Sequence, residues 1–248
     1  MLKPTVIIQA RVGSRRLPGK VFSEINGKPI LHYVIKRVES ANLIDNLIIA
    51  TTTNSQDEKI VEFCKTNNLN YFCGSEDDVL DRYYQCAKKF KCDPIIRISA
   101  DSPLIDPIII DNCIQKYSNS NYDFLSNTIQ PIDNAWIENY NGFPIGMAVE
   151  IFSYNTLEKI WNEANKPNQR EHVTEYIWEN PEKFKIGFIK NDDDLSSMRL
   201  VVDYPEDFTL IKTILEKFPL ENSNIQEIFS FLKKNPKLLE INSKYLHS

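Results

Sequence analysis

Short apolar runs alternate with amphipathic segments through the first hundred residues of this chain, and this alternation constrains the fold more than any other feature. The β-like runs are Thr5–Gln9, Leu47–Thr52, Asn70–Phe72 and Ile95–Ser99. Between them, apolar residues recur at helical spacing near 29–41, 55–67 and 76–91. Parallel strands need long crossover connections, usually helices, so the pattern predicts a mostly parallel sheet with helices on its faces. The expected fold class is α/β.

The remainder of the chain continues the pattern less regularly. Further strands are expected at Gly146–Phe152, Phe184–Ile189 and Leu200–Val202, with helices near 153–165, 170–179 and 205–218 and one amphipathic helix in the last twenty-five residues. Between about 119 and 145 the composition shifts to Asn, Tyr, Asp and Pro without periodicity, which predicts an irregular lobe beside the sheet. A length of 248 residues suits one domain, and we expect residues 1–248 to form it.

Three helix starts carry sequence signals for capping. Ser55-x-x-Glu58 and Ser75-x-x-Asp78 have the spacing of capping boxes, in which two side chains satisfy the first backbone N–H groups of a helix. Asp106 followed by Pro107 is typical of an N-cap and the first helical position. These signals predict where the helices begin.

The overall charge excludes no small ligand but argues against large anionic partners. With 29 Lys and Arg against 34 Asp and Glu, the net charge is −5, so neither a nucleic acid nor an acidic membrane is an expected partner. No charged-then-apolar leader and no long apolar run is present, which predicts a soluble, cytoplasmic protein. The five cysteines are scattered without a CxxC pair, so neither a zinc site nor a disulfide framework is expected.

A basic loop follows the first apolar run. The ten residues from Arg11 to Lys20 read RVGSRRLPGK, with four cationic side chains and two glycines, Gly13 and Gly19. Glycines let a backbone bend sharply and approach a ligand closely, so that N–H groups and cations can converge on one anion. The pattern is neither GxGxxG nor a P-loop, because Gly19-Lys20 is followed by Val21. It predicts a polyphosphate cradle in a different nucleotide-binding fold.

Two aspartates follow apolar runs far apart in the chain. Asp101 follows Ile95–Ser99, and Asp203 follows Leu200–Val202. Ligands of open α/β sheets bind beyond the carboxyl ends of the strands, so two such carboxylates can share a Mg²⁺ with phosphate oxygens. Each aspartate could equally well be a helix cap.

Two further segments combine charge with a helix start. In Gln169-Arg-Glu-His-Val-Thr174, successive side chains fan around the helix axis, so one or two of them can reach a site while the others are solvated. In Gly74-Ser-Glu-Asp-Asp-Val-Leu-Asp-Arg82, Ser75 and Arg82 could contact a base or ribose. Simple capping with a solvated acidic first turn explains that segment equally well.

Taken together, five segments of this chain resemble the cytidylyltransferase family, in particular its spore-coat polysaccharide type, which is related to 3-deoxy-manno-octulosonate cytidylyltransferase. The segments are IQARVGSRRLPGK at 8–20, GSEDDVLDRY at 74–83, ADSPLID at 100–106, REHVT at 170–174 and VDYPED at 202–207. The resemblance implies a Rossmann-like, GT-A-related nucleotidyltransferase fold, CTP as donor, Mg²⁺ as cofactor and a homodimer. It also gives the 119–150 lobe a role on the acceptor side or in dimerisation.

The resemblance assigns roles to individual residues. Catalysis is expected of Arg11, Lys20, Asp101 and Asp203, the last two as metal ligands. Nucleotide binding is expected of Gln9, Ala10, Arg11, Gly13, Ser14, Arg16, Lys20, Ser75, Arg82 and Asp101. An anionic acceptor sugar is expected to contact Glu150, Arg170, His172 and Arg199. The expected reaction is transfer of CMP to an acidic sugar with release of pyrophosphate, for a surface polysaccharide or glycoconjugate.

Two positions depart from the family pattern. Ala148 stands where the spore-coat type often has an acidic residue, and Ala100 replaces the usual glycine before Asp101. The first departure bears on the acceptor more than on the donor. A nucleotidyltransferase with another base, a GT-A glycosyltransferase that consumes a nucleotide-sugar, and a non-catalytic nucleotide-binding subunit are the alternatives, since fold alone does not choose among them.

Overall fold

A computed structural model describes residues 4–128, 142–219 and 224–246. Its strands are β1 (Thr5–Gln9), β2 (Glu24–Ile25), β3 (Lys28–Pro29), β4 (Asn46–Thr52), β5 (Asn70–Gly74), β6 (Ile95–Ser99), β7 (Phe124–Ser126), β8 (Glu150–Phe152) and β9 (Ile186–Phe188). Its helices are α1 (Ile30–Glu39), α2 (Glu58–Thr66), α3 (Val79–Phe90), α4 (Pro107–Ser118), α5 (Tyr154–Glu163), α6 (Pro167–His172), α7 (Glu175–Glu179), α8 (Pro205–Lys217), α9 (Ile225–Lys234) and α10 (Pro236–Leu239).

Seven of these strands form one mixed sheet in the order β5-β4-β1-β6-β8-β7-β9. Strand β1 pairs in parallel with β4 and β6, and two further parallel pairs join β4 to β5 and β7 to β9. Strand β8 runs antiparallel to both of its neighbours, β6 and β7. The predicted α/β class with a mostly parallel sheet is confirmed. Since β1 and β6 are parallel and in register from Thr5↔Ile95 to Gln9↔Ser99, the residues after them leave the same edge of the sheet.

The sheet is buried on both faces, which explains why its central strands are almost continuously apolar. Successive strand residues point to opposite faces: Val6 and Ile8 belong to one apolar cluster, and Ile7 belongs to another. The first cluster includes residues of α1, α4, α8 and α9, while the second includes residues of α3, α5 and α7. Helices on both faces thus hold the edge beyond Gln9 and Ser99 in a fixed position.

Several predicted elements differ from the observed ones. Leu200–Val202 belongs to no strand of the sheet. The preceding residue, Arg199, forms an isolated parallel bridge with Ile145, and the pairing does not continue beyond it. The strand expected over Gly146–Phe152 is restricted to Glu150–Phe152. The helix expected near 170–179 is divided into α6 and α7 by Val173, and the helix near the C-terminus is followed by a second one, α10.

The capping signals have mixed outcomes. Asp106 accepts hydrogen bonds from the N–H groups of Ile108 and Ile109, as predicted. Helix α3 begins later than the Ser75 signal predicts, with Asp78 as its cap, although Ser75 Oγ does accept from Asp78 N–H at 3.0 Å. The Ser55 signal is wrong, since no side chain caps the start of α2 or of the 3-10 turn before it.

Three other sequence expectations concern the irregular lobe, the cysteines and membrane-spanning helices. Residues 129–141 of the predicted irregular lobe lie outside the described residues. All five cysteines are unbridged, as their scattered positions predict. Across residues 4–128, 142–219 and 224–246, none of the helices combines the length and the apolar character needed to span a bilayer.

Candidate functional site

A cavity of about 530 Å³ opens at the edge of the sheet where β1 and β6 end. Most of the site residues predicted from the sequence line it: Gln9, Ala10, Arg11, Ser14, Arg16, Lys20, Arg82, Asp101, His172 and Asp203. The other lining residues are Arg15, Val21, Val79, Arg97, Ser99, Ala100 and Glu171. The cavity thus brings together residues that the sequence separates by almost two hundred positions.

The basic loop owes its shape to a glycine and a buried carboxylate. Gly19 has a φ of 73°, a left-handed conformation that other residues adopt with strain, and its N–H donates to Val12 O at 3.0 Å. Val12 N–H in turn donates to Asp57 Oδ1 at 2.7 Å, and the second oxygen of Asp57 accepts from the hydroxyl of Thr52 at the end of β4. Asp57 is fully buried. The loop is therefore tied to the sheet and does not depend on a ligand for its position.

Gly13 does not line the cavity, and its role is local packing. A Cβ built at this position would lie 2.7 Å from the side-chain nitrogen of Gln56. Its neighbour Arg11 turns a half-exposed guanidinium toward Glu76, with a separation of 3.7 Å. Gly13 thus packs against the flexible side chain of Gln56, in the turn that leads into α2.

Lys20 joins the two predicted metal-binding aspartates. Its Nζ lies 2.7 Å from Asp101 Oδ2 and 2.6 Å from Asp203 Oδ1, and the lysine side chain is 12% exposed. Burial alone would lower the pKa of Lys20, but the two carboxylates outweigh burial and raise it. Burial would likewise raise the pKa of Asp203, but Lys20, Arg16 and Arg199 lower it. Lys20 and Asp203 are therefore both ionised at neutral pH.

Backbone contacts explain why Asp203 lies beside Asp101. Val202 N–H donates to Asp101 O at 2.8 Å, and Leu200 N–H donates to Ile145 O at 2.7 Å. Gly146 makes this approach possible, since its φ is 99° and a Cβ there would lie 2.6 Å from Val201 N. The residues before Asp203 are thus held against Asp101, just beyond the end of β6, although they form no strand of the sheet.

Asp203 is surrounded by more than one cation. Arg16 Nη1 donates to Asp203 Oδ2 at 3.0 Å, and the same guanidinium lies 5.3 Å from the ring centre of Tyr204. Arg199, predicted as an acceptor ligand, lies behind this position with 3% of its side chain exposed. It pairs with Asp207 through Nε at 2.9 Å and Nη2 at 3.1 Å, and only its longer contact of 3.5 Å reaches Asp203. The structure thus places Arg199 outside the cavity.

The Asp101 and Asp203 carboxylates are suited to a hard divalent cation. Both touch one ammonium group, so their oxygens lie close enough for a single cation to bridge them. Within the described residues there is no cluster of three or more His, Cys, Asp or Glu able to hold a metal. Mg²⁺ commonly binds one or two carboxylates and completes its octahedron with substrate phosphates and water. The residues present therefore fit Mg²⁺ bound together with a phosphate ligand.

A buried arginine lines the cavity next to β1. Arg82 is 2% exposed, and its Nη1 donates to Ser75 O at 2.7 Å. Its Nε has no hydrogen-bond partner and no carboxylate lies within 4 Å of its guanidinium in the described part of the chain. Burial lowers the pKa of Arg82. A buried cation beside a cavity favours a ligand that brings a negative charge or an acceptor to it. Ser75 itself does not line the cavity.

A second, smaller cavity of about 170 Å³ adjoins the first. It shares Arg97, Ser99 and Asp101 with the large cavity, and its other lining residues are Ser102, Gly146, Ala148, Glu150 and Val201. Arg97 Nη1 donates to Glu150 Oε2 at 2.6 Å, while Glu150 Oε1 accepts from Thr174 Oγ1 at 3.0 Å. Burial acts to lower the pKa of Arg97, but Glu150 outweighs it and raises it. The predicted acceptor ligand Glu150 thus lies at this smaller cavity.

The segment at 170–174 divides its side chains between the site and the fold. Glu171 and His172 line the large cavity. Arg170 points elsewhere and holds Asp78 with contacts of 2.6 to 3.0 Å. Val173 then turns the chain with φ 60° and ψ −62°, and Thr174 N–H donates to His172 O across it at 2.6 Å. This γ-turn with positive φ is rare and strained for a β-branched residue, and it lies directly beside the cavity.

Comparison with known proteins adds a family to this geometry. The sequence model of the cytidylyltransferase family matches residues 5–234. This chain is a cytidylyltransferase family member. It is 30% identical over 240 residues to the spore coat polysaccharide biosynthesis protein SpsF of Bacillus subtilis, with 93% of this chain and 94% of SpsF covered. The expected family and CTP-dependent nucleotidyltransferase class are thereby confirmed.

Solved structures agree with this cytidylyltransferase assignment. A cytidylyltransferase from Leptospira borgpetersenii superposes with a TM-score of 0.87 at 33% identity, covering 96% of this chain and 97% of the other. The structure of CMP:2-keto-3-deoxy-manno-octonic acid synthetase complexed with CTP superposes with a TM-score of 0.64 over 87% of this chain and 99% of the other. At 18% identity, the second likeness shows the fold alone. The nucleotidyltransferase fold is confirmed.

Sequence reasoning missed several residues that shape the site of this cytidylyltransferase. Arg97 offered a signal, since it is a single cation inside the apolar run Ile95–Ser99 and a charge in a central strand needs a partner. Arg15 was within the basic loop but was not singled out. Asp57 and Asp207 offered no signal beyond helix capping, because their partners lie on other elements.

Proposed function

We propose that this protein transfers CMP from CTP to a hydroxyl group of an acidic sugar and releases pyrophosphate. The observation that carries the proposal is the contact of Lys20 with both Asp101 and Asp203 inside a cationic cavity. Six cationic side chains line that cavity (Arg11, Arg15, Arg16, Lys20, Arg82 and Arg97), against the three carboxylates of Asp101, Glu171 and Asp203. Such an excess of positive charge suits a triphosphate.

The basic loop is proposed to bind the phosphates. Arg11, Arg16 and Lys20 all line the cavity and would neutralise the pyrophosphate as the bond from the α-phosphorus to its bridging oxygen breaks. An oxygen of the acceptor forms the new bond to phosphorus in line with the leaving group, and its hydroxyl proton is released. Charges that are already in position when this negative charge develops stabilise the transition state most.

Asp101 and Asp203 are proposed to hold Mg²⁺. When bound, the metal would supply charge compensation at the α-phosphate. Arg199 and Arg16 hold Asp203 from behind and from the side, so its carboxylate presents oxygen to the cavity in one orientation. Arg16 and Lys20 of the basic loop touch these carboxylates directly, so a phosphate bound by the loop would lie beside the metal.

Arg82 is proposed to recognise the cytosine or the ribose. It lines the cavity with little freedom to move, because it is buried and Ser75 O accepts from its Nη1. Gln9 and Ala10, at the end of β1, line the same cavity, where Gln9 offers its side-chain amide and Ala10 its backbone. A carbonyl acceptor on a pyrimidine is the complement of such a donor set.

The acceptor is proposed to lie at the smaller cavity, between Asp101 and Glu150. Ala148 is exposed there, and its short side chain leaves room at a position where the spore-coat type often has an acid. Of the cations predicted for the acceptor, Arg170 and Arg199 are committed to Asp78 and Asp207, so His172 is the one that faces the large cavity. An acidic sugar is favoured by the name of the CTP-bound synthetase of similar fold.

The quaternary structure and cellular location belong to the same proposal. The family resemblance implies a homodimer, and the cytoplasmic location expected from the sequence is proposed with it. The net charge of −5 gives no support to a nucleic acid or an acidic membrane as partner.

Pyrophosphate release tests the proposed reaction. We expect CTP with Mg²⁺ and a panel of acidic sugars to give pyrophosphate, with the turnover of Asp203→Asn lower by about 10²–10³ because a preorganised charge contact is lost. Asp193→Asn is the matched control, since Asp193 is an exposed carboxylate paired only with surface Lys233. Equal turnover by Asp203→Asn and the wild type would refute the site assignment.

Thermal stabilisation tests the donor separately. A nucleotide that binds only the folded protein raises the melting temperature with concentration. CTP is expected to raise it more than UTP, GTP or ATP, each measured with and without Mg²⁺. A preference for another triphosphate would reassign the base, and stabilisation by a nucleotide-sugar with no response to any triphosphate would favour a glycosyltransferase.

A further inference from the structure

The C-terminal segment, residues 236–246, packs directly behind Asp203. Asn242 is 1% exposed, and its side-chain nitrogen donates to two acceptors: Asp207 Oδ1 at 2.8 Å and Arg199 O at 2.9 Å. A buried amide that donates to two buried acceptors is costly to remove, because each acceptor then loses one hydrogen bond. Asn242 lies 35 residues beyond Asp207 in the chain, so only the tertiary fold joins them.

Asp207 connects Asn242 to Asp203. Its Oδ2 accepts from the backbone N–H groups of Asp203 and Tyr204, each at 3.0 Å, and both of its oxygens accept from Arg199. Arg199 in turn contacts Asp203 Oδ2 at 3.5 Å. One fully buried carboxylate thus fixes the backbone of Asp203 and orients a cation toward its side chain. Such networks respond as a unit when one member is lost.

A second contact of the same segment reaches the other side of Asp203. The ring of Tyr245 stacks on that of Tyr204 with centroids 3.7 Å apart and planes 1° apart. Tyr204 carries the guanidinium of Arg16 on its ring, and Arg16 holds Asp203 Oδ2 at 3.0 Å. The Tyr245 hydroxyl and Lys244 both bind Glu206, at 3.1 and 2.7 Å. The segment therefore touches the residues on both sides of the carboxylate.

We propose that Asn242 is a positioning residue of the reaction, which orients the Asp203 carboxylate through Asp207, with the stack of Tyr245 on Tyr204 as a second support. Asn242 does not line the cavity, and its action is indirect. The inference rests on the proposed function, in which Asp203 holds the metal. Residues that orient metal ligands from behind typically change metal affinity by about 10–100-fold when mutated.

Two measurements on Asn242→Ala test the proposal. Hydrogen exchange followed by mass spectrometry should show faster exchange in the peptide that contains the Asp203 and Tyr204 amides, which Asp207 protects. Mn²⁺ binding in the presence of CTP, measured by electron paramagnetic resonance, should weaken about tenfold, while CTP binding without metal stays within about twofold of the wild type. Asn235→Ala is the control, since Asn235 is an exposed asparagine of the same region whose side-chain nitrogen donates to Phe231 O.

The outcomes separate this inference from the proposed function. Unchanged exchange in folded Asn242→Ala, or changed exchange with unchanged Mn²⁺ affinity, would overturn the positioning role. Absence of nucleotide-dependent Mn²⁺ binding by the wild type would overturn the proposed function and this inference with it. If Asn242→Ala does not fold, Tyr245→Leu replaces it, with Tyr245→Phe as its control. Tyr245→Leu loses the stack on Tyr204 and should bind Mn²⁺ more weakly, whereas Tyr245→Phe keeps the ring and should bind Mn²⁺ like the wild type. Equal Mn²⁺ binding by both variants would overturn the proposal.

Discussion

At the level of single residues, Lys20 links the two carboxylates of the site. Its ammonium group is the shared partner of Asp101 and Asp203, and the lysine lies at the end of a loop held by Gly19 and Asp57. A buried charge that loses its partner is more costly than an exposed one, because water cannot replace the partner. Lys20 should therefore contribute to stability as well as to the proposed phosphate contact.

We predict that Lys20→Met lowers the free energy of unfolding by about 2–3 kcal/mol at neutral pH, because two partly buried carboxylates lose their shared cation. Burial opposes the shifts, but the ion pairs raise the pKa of Lys20 above 10.5 and lower that of Asp203 below 3.8. The contribution of Lys20 to the free energy of unfolding is fully present below pH 10.5 and is lost as the pH rises through the raised pKa of this lysine. The aspartate contribution is present above 3.8 and lost as the pH falls through the lowered pKa.

The difference between wild type and Lys20→Met should therefore be constant from about pH 5 to 9 and shrink outside that range. Urea unfolding at a series of pH values measures it. Lys36→Met is the matched control, because Lys36 forms an exposed pair with Glu39 three residues away, and such pairs contribute about 0–1 kcal/mol. A difference no larger than that of the control would show that the contacts of Lys20 are not stabilising.

At the scale of the element, the basic loop depends on a residue outside it. Asp57 does not line the cavity, yet it holds the loop through Val12 N–H and is anchored to β4 through Thr52. We predict that Asp57→Ala weakens CTP binding about tenfold, since the loop must then be ordered by the ligand at an entropic cost. Titration of CTP by calorimetry measures this.

The control for that prediction is Glu58→Ala. Glu58 is the next acidic residue, it is exposed, and it begins α2. Hydrogen exchange of the loop should rise in Asp57→Ala and stay unchanged in Glu58→Ala. Wild-type CTP affinity in a folded Asp57→Ala protein would mean that the loop takes its conformation without this anchor.

In the whole molecule, the cavity and the chain have net charges of opposite sign. The chain is acidic with a net charge of −5, but the cavity is lined by six cations and three carboxylates. A divalent cation entering alone meets this positive excess and competes with Lys20 for Asp101 and Asp203. A triphosphate reverses the local sign and offers its own partner for the ammonium. Metal and nucleotide should therefore bind cooperatively.

We predict that Mg²⁺ alone changes the melting temperature little, that CTP alone raises it, and that both together raise it by more than the sum. Differential scanning fluorimetry over a matrix of the two concentrations measures the coupling. Asp203→Asn should retain the shift caused by CTP alone and lose the additional shift caused by the metal, while Asp193→Asn should keep both. Strictly additive shifts would argue against a metal that shares its site with the phosphates.

The alternation of β-like and amphipathic segments was sufficient to predict the class of fold, because both periodicities are local properties of the chain. The basic loop and Asp101 were also readable, since they follow β1 and β6 and the ends of these parallel strands share an edge. Asp203 was readable only as an acid after an apolar run. The predicted strand at Leu200–Val202 shows the limit: its residues are extended and buried as expected, but no sheet strand accepts them along their length. Apolar runs of this size predict burial more reliably than they predict hydrogen-bond partners.

The α/β class, the cationic loop, the two carboxylates and the family could be read from the chain, because they depend on residue type and spacing. Three features emerged only with the fold: Arg170 and Arg199 bind Asp78 and Asp207, Arg97 faces both cavities, and the C-terminal segment contacts the residues around Asp203. Arginine side chains are long and choose among partners many residues away, and an amide such as that of Asn242 carries no motif. Which carboxylate or carbonyl such a group meets is set by packing, and packing is not a local property of the sequence.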